Sequence, residues 1–258
     1  MSDENSNPGP LSGERDVKSS KGQKLLLPIA ILSGGLATRL QPLTEKIPKA
    51  LLRVAGKPFV AWQLEYLRTQ GASRVVLCVG YLGEQIEAEV GDGSAHGLEV
   101  RYSSDGPRLL GTGGALKQAL PLLGDRFFVF YGDSYLPVDF QAVERSFLES
   151  GSPALMTVLQ NHDRWDKSNV LFQQGRIVEY NKRSPRPEMR HIDYGLGILS
   201  ASLFSDRAAD APFDLAEVYR DLSLRGELAG FEVFERFYEI GSQAGLQETD
   251  EFLTRGRR

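Results

Sequence analysis

The stretch ILSGGLATRLQPLTEKIPKALL, residues 31–52, decides how the rest of the chain is interpreted. It begins as a buried strand would and then turns through Gly34 and Gly35, which let a ligand approach the backbone closely. Backbone N–H groups in such a turn can cradle phosphate oxygens. Arg39 adds a planar guanidinium suited to phosphate, and Lys49 adds a compact positive charge. The alternative is a connecting loop with solvated basic residues, and composition alone leaves the two interpretations even.

The composition is that of an ordinary globular protein. The 258 residues suit one large α/β domain or two small ones, and a net charge of −4 supplies no basic field for nucleic acid or an anionic membrane. Cys78 stands alone inside the apolar run VVLCVG, which predicts a buried thiol without an intrachain disulfide. The polar N-terminus lacks the apolar segment of a signal peptide, so we expect a cytoplasmic protein. Whether it forms a homo-oligomer stays open.

Two segments follow from the distribution of residue types. Residues 1–24 are rich in Ser, Gly, Pro, Asn and charged residues, and they are predicted to form a disordered tail. Residues 25–258 show no internal repeat and no clear linker, so they are predicted to form one domain.

Strand and helix patterns alternate in the first half of that domain. Apolar runs predict buried strands at 25–32, 74–80 and 127–133, and residues 98–104 alternate as a further strand would. Between them lie helical patterns at 58–70, 82–90 and 113–123. This order predicts parallel βαβ units and a Rossmann-like sheet, whose ligands bind at the carboxyl ends of the strands. The loop after Leu32 and the acid after Tyr131 are therefore expected to meet.

The second half has shorter strands separated by turns. Strands are predicted in residues 154–160, 169–174, 175–181 and 194–200, with Gly175 in a hairpin turn. Helical patterns return at 213–226 and 242–256. These patterns predict an antiparallel portion attached to the parallel sheet.

The segments SGGLATRLQPLT and PKALLRVAGKP resemble the signature of the sugar-1-phosphate nucleotidyltransferases, GGxGTRL-x-PLT…PKP. The resemblance runs from about Leu27 to the C-terminus. It implies a Rossmann-like three-layer α/β/α fold of the GT-A type, with a mainly parallel mixed sheet and a small antiparallel portion. Ala37 replaces a family glycine, which we expect to be tolerated at a negative φ, and Ala50 replaces the second proline.

The resemblance implies that a nucleoside triphosphate and a sugar 1-phosphate give a nucleoside diphosphate sugar and pyrophosphate. Arg39 and Lys49 would be the catalytic cations. A second glycine-rich segment, LLGTGGALKQA at 109–119, would lie against the base, although Thr112 capping a helix is the alternative. The residues implied to bind the nucleotide are Ser33, Gly34, Gly35, Thr38, Gly111, Thr112, Gly113 and Gly114.

Two carboxylates are implied to hold Mg²⁺, which prefers hard oxygen ligands and needs only one or two carboxylates plus phosphate oxygens. Asp133 follows a buried strand and resembles the metal-binding aspartate of the family. In FYEIGS, 237–242, Glu239 stands where the family has its second metal-binding aspartate. The alternatives are a capping role for Asp133 and a solvent-facing Glu239.

Two further segments are implied to bind the sugar phosphate. VEYNKRSP, 178–185, resembles the Glu-Lys-Pro segment of the family, so Lys182 would hold the phosphate and Glu179 a sugar hydroxyl. IDYGLGIL, 192–199, resembles Asn-x-Gly-Ile-Tyr, so Asp193 and Gly195 would line the sugar pocket. The alternatives are an exposed hairpin end and a structural turn.

The run from 56 to 116 is most similar to the D-glycero-α-D-manno-heptose 1-phosphate guanylyltransferases. It is similar in second place to the N-acetylmuramate 1-phosphate uridylyltransferases. GTP and heptose 1-phosphate are therefore the favoured substrates. UTP or CTP with another sugar (N-acetylmuramate, glucose) or a cyclitol phosphate stays open, as does a regulatory subunit that binds nucleotide sugars without catalysis.

Overall fold

The computed structural model describes residues 24–208 and 211–256. Apart from Lys24, the predicted tail lies outside these residues. Within them, the strands are β1 Ile29–Leu32, β2 Arg53–Val54, β3 Lys57–Pro58, β4 Arg74–Val79, β5 Glu99–Ser104, β6 Arg126–Tyr131, β7 Ser134–Tyr135, β8 Ala154–Gln160, β9 Val170–Gln173, β10 Arg176–Tyr180, β11 His191–Ser200, β12 Leu228–Val233 and β13 Tyr238–Glu239. The α-helices are α1 Phe59–Thr69, α2 Gly83–Val90, α3 Gly111–Leu123, α4 Phe140–Ser150, α5 Leu215–Leu224 and α6 Gln243–Arg255.

One large sheet forms the middle layer, with the strand order β5-β4-β1-β6-β11-β8-β12-β10-β9 across the described residues. Strands β5, β4, β1 and β6 are parallel to one another, as the alternating pattern predicts. Strand β11 runs antiparallel to both β6 and β8, β12 returns parallel to β8, and β10 is antiparallel to β12 and β9. The Rossmann-like mixed sheet is confirmed, but its antiparallel portion is as large as its parallel one rather than small.

Apolar side chains on both faces of the sheet make the fold a three-layer one. One face packs on α1, α2 and α4 through residues such as Leu64, Ile86 and Phe140. The other face packs on α3 and α5 through residues such as Leu116 and Leu222. Burying a side chain of this size contributes about 1.5–3 kcal/mol, so the two apolar layers hold the sheet from both sides. No helix in the described part of the chain is both long and apolar enough to cross a membrane.

Strand β1 is shorter than the apolar run that predicts it. Pro28 lacks an N–H group, and only the four residues after it join the parallel ladder. The chain before it is held differently, since Leu25 N donates to Gly71 O at 3.0 Å and Leu27 N donates to a carboxylate oxygen of Glu144 at 2.9 Å.

Six strands and α-helices of the described residues have no counterpart in the sequence prediction: α4, β12, the pair β2 and β3, and the pair β7 and β13. Helix α4 starts at a cap in which the Asp139 carboxylate accepts from Ala142 N at 3.0 Å. Strand β7 pairs antiparallel with β13, which places Ser134 opposite Glu239. This short ladder brings the end of the chain back to the loop that follows β6. The predicted hairpin is confirmed, with Gln174 and Gly175 at φ values of 50° and 78°.

The parallel strands end in register, which positions the site. Leu32 pairs with Cys78 on one side and Tyr131 on the other. Beyond the strands, Ser33 N donates to Cys78 O at 2.8 Å and Gly132 N donates to Leu32 O at 3.0 Å. The segments that follow β1, β4 and β6 therefore leave the sheet side by side.

Candidate active site

A first cavity of ≈ 250 Å³ opens at the carboxyl ends of these strands. We call it the nucleotide pocket. Seven predicted residues line it: Ser33, Gly34, Gly35, Lys49, Gly111, Thr112 and Asp133. Its remaining wall is mostly apolar and includes Leu32, Cys78 and Leu109. Burial raises the pKa of the Cys78 thiol to about 12, so this cysteine is an inert part of the wall.

Gly34 permits a close approach of two loops at the mouth of the nucleotide pocket. A Cβ atom placed on Gly34 would lie 3.1 Å from Gly80 N, and Gly34 O already accepts from Tyr81 N at 3.4 Å. Gly35 faces open space, with nothing within 4 Å of an added Cβ. The first glycine is thus needed for packing, and the second leaves room beside the backbone.

Ala37 adopts a left-handed conformation with φ 50° and ψ 40°. The condition under which alanine is expected to fit, a negative φ, is therefore not met. A non-glycine residue in this region costs roughly 1–2 kcal/mol, which explains why glycine suits the position. The Thr44 hydroxyl helps to hold the turn because it donates to Ala37 O at 2.9 Å.

Lys49 and Asp133 meet at the inner end of the nucleotide pocket. Lys49 Nζ donates to Asp133 Oδ2 at 2.8 Å, and the Ser134 hydroxyl lies 3.2 Å from Asp133 Oδ1. Both side chains of the ion pair are only partly exposed. The contact joins residues 84 positions apart in the sequence and fulfils the expectation that the loop after Leu32 and the acid after Tyr131 meet.

A second cavity of ≈ 500 Å³ adjoins the first, and Tyr131 and Asp133 line both. We call it the acceptor pocket. It contains six predicted residues: Arg39, Asp133, Lys182, Asp193, Gly195 and Glu239. The shared wall at Asp133 means that a molecule in one pocket lies next to a molecule in the other.

The two implied metal ligands face the same small space around Gly241. A Cβ placed on Gly241 would lie 2.6 Å from Glu239 Oε2, 3.4 Å from Asp133 Oδ2 and 3.2 Å from Arg39 Nη2. Glu239 also accepts hydrogen bonds from Gly241 N and from the Ser242 hydroxyl, the latter at 2.7 Å. No group of three or more potential ligands from His, Cys, Asp and Glu occurs among the described residues. Mg²⁺ needs only one or two carboxylates when substrate phosphates supply further oxygen ligands, so this pair of carboxylates is a suitable donor set for it.

Asp193 has an unusual electrostatic environment in the acceptor pocket. Burial among protein atoms raises the pKa of its carboxyl group to about 6, although a bond from Gly195 N and the charge of Lys182 oppose the shift. The Gly195 N–H donates to Asp193 Oδ1 at 3.0 Å. A carboxylate and an ammonium group therefore lie near each other in this pocket, suited to hydroxyl and phosphate groups of one ligand.

Four predicted residues lie outside both pockets. Thr38 is exposed on a short 3₁₀ turn. Glu179 makes an ion pair with Arg186 at 2.6 Å. The amides of Gly113 and Gly114 point to Phe213 O, at 3.0 and 3.4 Å, and both glycines are buried against that segment. These two glycines therefore serve helix packing.

Thr112 does not cap its own helix, since Leu110 holds that position. Its hydroxyl donates to Asp214 Oδ1 at 2.8 Å and accepts from Leu215 N at 2.8 Å. Thr112 thus completes the cap of α5, while its position in the first turn of α3 still lines the nucleotide pocket.

Sequence reasoning missed several pocket residues. Asp105 lines the nucleotide pocket, where burial raises the pKa of its carboxyl group and Leu110 N donates to its Oδ2 at 3.0 Å. Its place directly after the parallel strand β5 is a signal that could have identified it. Trp165, Asp166 and Asn169 line the acceptor pocket from the loop between β8 and β9, which carries no such signal.

Comparison with known proteins decides the family. The model of the family described as nucleotidyl transferase matches residues 29–168. The chain belongs to this family. The match begins at β1 and ends in the loop between β8 and β9, so it includes both loops that meet at Asp133.

Relatives support the assignment along most of the chain. The N-acetylmuramate alpha-1-phosphate uridylyltransferase of Neisseria meningitidis is 33% identical over 224 residues, which cover 84% of this chain and 94% of that protein. The D-glycero-alpha-D-manno-heptose 1-phosphate guanylyltransferase of Campylobacter jejuni is 30% identical and covers 76% of this chain and 87% of its own length. The structure of HddC from Yersinia pseudotuberculosis complexed with GMP-PN superposes with a TM-score of 0.72 at 26% identity, covering 88% of this chain and 100% of that one.

Proposed function

We propose that this nucleotidyltransferase makes a nucleoside diphosphate sugar and pyrophosphate from GTP and heptose 1-phosphate in the cytoplasm. The observation that carries the proposal is the contact between Lys49 and Asp133 at the wall shared by the two pockets. A triphosphate in one pocket and a sugar phosphate in the other would bring their phosphates together at this point.

In the proposed reaction, a phosphate oxygen of the sugar 1-phosphate attacks the α-phosphorus of the nucleotide in line. A new O–P bond forms, the bond between the α-phosphorus and the bridging oxygen breaks, and pyrophosphate leaves with the bonding electrons. The attacking oxygen is already anionic, so no side chain has to remove a proton. The work left to the protein is positioning and charge stabilisation.

Each charged side chain has a proposed task in this reaction. Lys49 neutralises charge on the α-phosphate, and the amides near Gly34 and Gly35 cradle the leaving phosphates. Arg39 neutralises phosphate charge from the acceptor side, because its guanidinium lies beside the carboxylates of Asp133 and Glu239. Lys182 holds the acceptor phosphate.

Asp133 and Glu239 would hold Mg²⁺ in this proposal. The ion would supply positive charge to the reacting phosphates. Lys49 now neutralises Asp133, so its ammonium group would move from the carboxylate to phosphate oxygens when substrate arrives. The same side chain thus stabilises the carboxylate before binding and the phosphate during the reaction.

Asp105 supports guanine as the base. A carboxylate matches the two adjacent donors of guanine, N1–H and the N2 amino group, whereas uracil flanks its single donor with two carbonyl oxygens. The GMP-PN in the similar solved structure supports the same choice. Asp105→Asn should therefore lower kcat/KM with GTP by about tenfold or more while affecting UTP less, as expected for the loss of one charged hydrogen bond.

The charges of the acceptor pocket support a neutral sugar. Arg39 and Lys182 are the basic residues among its described lining, and both have proposed phosphates to bind. The remaining charged lining residues away from the carboxylate pair are Asp166 and Asp193, which suit hydroxyl donors and disfavour a second anionic group. A heptose fits this description better than N-acetylmuramate, which carries a carboxylate.

UTP with N-acetylmuramate 1-phosphate is the second candidate pair of substrates, because the uridylyltransferase named for N-acetylmuramate is 33% identical over most of the chain.

The deciding experiment measures pyrophosphate release with Mg²⁺ for ATP, CTP, GTP, UTP and dTTP against heptose, mannose, glucose, inositol and N-acetylmuramate phosphates. We expect release with GTP and the heptose. Release only with UTP and N-acetylmuramate would overturn the substrates but keep the reaction. Nucleotide binding without release for any pair would favour a regulatory subunit.

A further inference from the structure

We infer that Gln63 is a positioning residue, which fixes the turn between β6 and β7 so that Asp133 faces the space shared by metal and phosphates. The inference rests on the proposed metal-dependent reaction. Gln63 lies in the middle of α1 and is fully buried at 0% exposure. A glutamine at such a position is uncommon, because burial of a polar side chain costs free energy unless its groups are bonded.

The amide of Gln63 binds the turn at both of its ends. Gln63 Nε2 donates to Ser134 O at 2.8 Å and to Tyr131 O at 3.3 Å. Asp133 lies between these two carbonyls. The two N–H groups of one side chain thus fix the backbone on each side of the carboxylate that Lys49 binds.

Other backbone contacts complete the support of the turn. Gly132 N donates to Leu32 O at 3.0 Å, and Asp133 O accepts from Ile240 N at 2.9 Å. These contacts tie the turn to the end of β1 and to the segment after Glu239. Gln63 attaches the turn to α1 in the helix layer below the sheet. Helix α1 begins eight residues after Leu51, which ends the 3₁₀ turn that starts at Lys49.

The carbonyl oxygen of the Gln63 amide, Oε1, argues against a role in stability alone. Among the described residues, no donor reaches Gln63 Oε1, which is buried. An unpaired buried acceptor costs about 1–3 kcal/mol, so a methionine of similar length would remove that cost. A residue kept for stability alone would not be expected to carry this penalty. The donor side of the amide is therefore the part that matters, and what it contacts is the Asp133 turn.

The test compares Gln63→Met with the wild-type chain. The matched control is Gln141→Met, which changes another buried glutamine, in α4, whose Nε2 reaches Gln70 O at 3.5 Å. Three quantities are measured: the melting temperature, the binding of Mn²⁺ alone by its paramagnetic resonance signal, and the steady-state constants for pyrophosphate release. Loss of a partner that orients a metal ligand typically costs 10–100-fold in metal affinity or activity.

We expect Q63M to melt within a few degrees of the wild type, because removal of the unpaired Oε1 offsets the loss of the donor to Tyr131 O and Ser134 O. We also expect it to bind Mn²⁺ at least about tenfold more weakly and to lose kcat with little change in the KM for nucleotide. Q141M should keep its Mn²⁺ affinity. Wild-type Mn²⁺ affinity and kcat in Q63M would overturn the inference, as would a lower melting temperature with unchanged Mn²⁺ binding.

A second substitution covers a failure to fold. Gln63→Leu is likewise apolar and also removes the donors that reach Tyr131 O and Ser134 O, and we expect the same loss of Mn²⁺ binding. If neither variant folds, Gln63 is a structural residue and the inference falls. A wild-type chain that binds Mn²⁺ but releases no pyrophosphate would refute the proposed function and leave the Mn²⁺ comparison valid, whereas a wild-type chain that binds no Mn²⁺ would refute the inference.

Discussion

The nucleotide pocket and the acceptor pocket share Asp133 but are built in different ways. The nucleotide pocket forms where parallel strands end, and four of its lining residues are glycines, which expose backbone groups. The acceptor pocket forms against the antiparallel half of the sheet, and charged and aromatic side chains such as Lys182, Asp193 and Trp165 supply its surface. A pocket made of backbone constrains the sequence to a continuous motif, whereas a pocket made of side chains can be altered one residue at a time.

Removal of the cation at the shared wall should have the largest effect. Lys49→Ala is expected to lower kcat by about 10²–10³-fold, as for loss of one group that stabilises transition-state charge. Stability should change by less than about 1 kcal/mol because the ion pair with Asp133 is partly exposed. Steady-state kinetics and thermal unfolding measure the two effects. Lys57→Ala, which breaks an ion pair with Glu65 instead, is the control and should keep kcat. Full activity of K49A at an unchanged melting temperature would refute the role of Lys49.

Glu239 tests whether the acceptor side contributes to metal binding. Glu239→Gln removes the charge while keeping the length, so the Mg²⁺ concentration for half-maximal activity should rise at least about tenfold. A Mg²⁺ titration of the rate measures it. Glu248→Gln provides a control, because Glu248 is paired with Arg236 on the surface at 2.7 Å. If E239Q titrates like E248Q, Asp133 alone holds the ion and Glu239 only shapes the loop through Gly241 and Ser242.

Asp193 should affect substrate binding rather than the chemical step. Asp193→Asn removes a charged acceptor of sugar hydroxyls, so the KM for the sugar 1-phosphate should rise about tenfold with little change in the KM for nucleotide. Kinetics with each substrate varied in turn distinguish the two constants. A larger effect on the nucleotide would contradict the division of the site into two pockets.

The same variant makes a prediction about pH and stability. The folded pKa of Asp193, about 6, lies above the usual aspartate value of 3.8, so the folded chain binds a proton more tightly than the unfolded chain. The stabilising contribution of the neutral acid is present at low pH and is lost as pH rises through about 4 to 6. D193N should therefore melt higher than the wild type at pH 8, with the difference shrinking at pH 4.5. An equal difference at both pH values would contradict the raised pKa.

Ala37 should have the smallest effect. Ala37→Gly removes the strain of a left-handed alanine, which costs about 1–2 kcal/mol. Glycine in turn loses more backbone entropy on folding, which costs about 0.5–1 kcal/mol. A rise in the melting temperature of a few degrees or less is expected, measured by calorimetry. Ala50→Gly, at a 3₁₀ position without positive φ, should destabilise instead. Destabilisation by A37G of the same size would contradict the strain.

The parallel half of the fold was predictable because apolar runs and helical spacing carry local information. The residues from β1 to β6 form the strands and helices that these patterns indicate, apart from the start of β1 at Pro28 and the short pair β2 and β3, which no pattern indicates. The antiparallel half was predicted only in part. Helix α4 and strand β12 have no strong start signal in the sequence apart from the Asp139 cap, and the β7–β13 ladder depends on pairing across a hundred residues.

The candidate site divides in the same way. Ser33, Gly34 and Gly35 at the start of the first motif line the nucleotide pocket, because local backbone geometry fixes where they lie. Further along the same motif, Arg39 lines the acceptor pocket and Thr38 lies outside both. Glu179 does not reach the acceptor pocket, since the nearby Arg186 binds it, and no local pattern encodes such a choice of partner. The left-handed conformation of Ala37 was missed because the residue type favours the opposite prediction. Gln63 was missed because a lone glutamine on a helix gives no sign of what it contacts.

The hydroxyl of Thr112 joins the first turn of α3 to the first turn of α5, and Phe213 O binds the amides of Gly113 and Gly114. This wall of the nucleotide pocket is thus secured by residues synthesised about a hundred positions later. A growing chain that has emerged only as far as residue 168, where the family match ends, would carry both glycine-rich motifs without this support. The order of synthesis therefore delays completion of this wall of the pocket until α5 has been added.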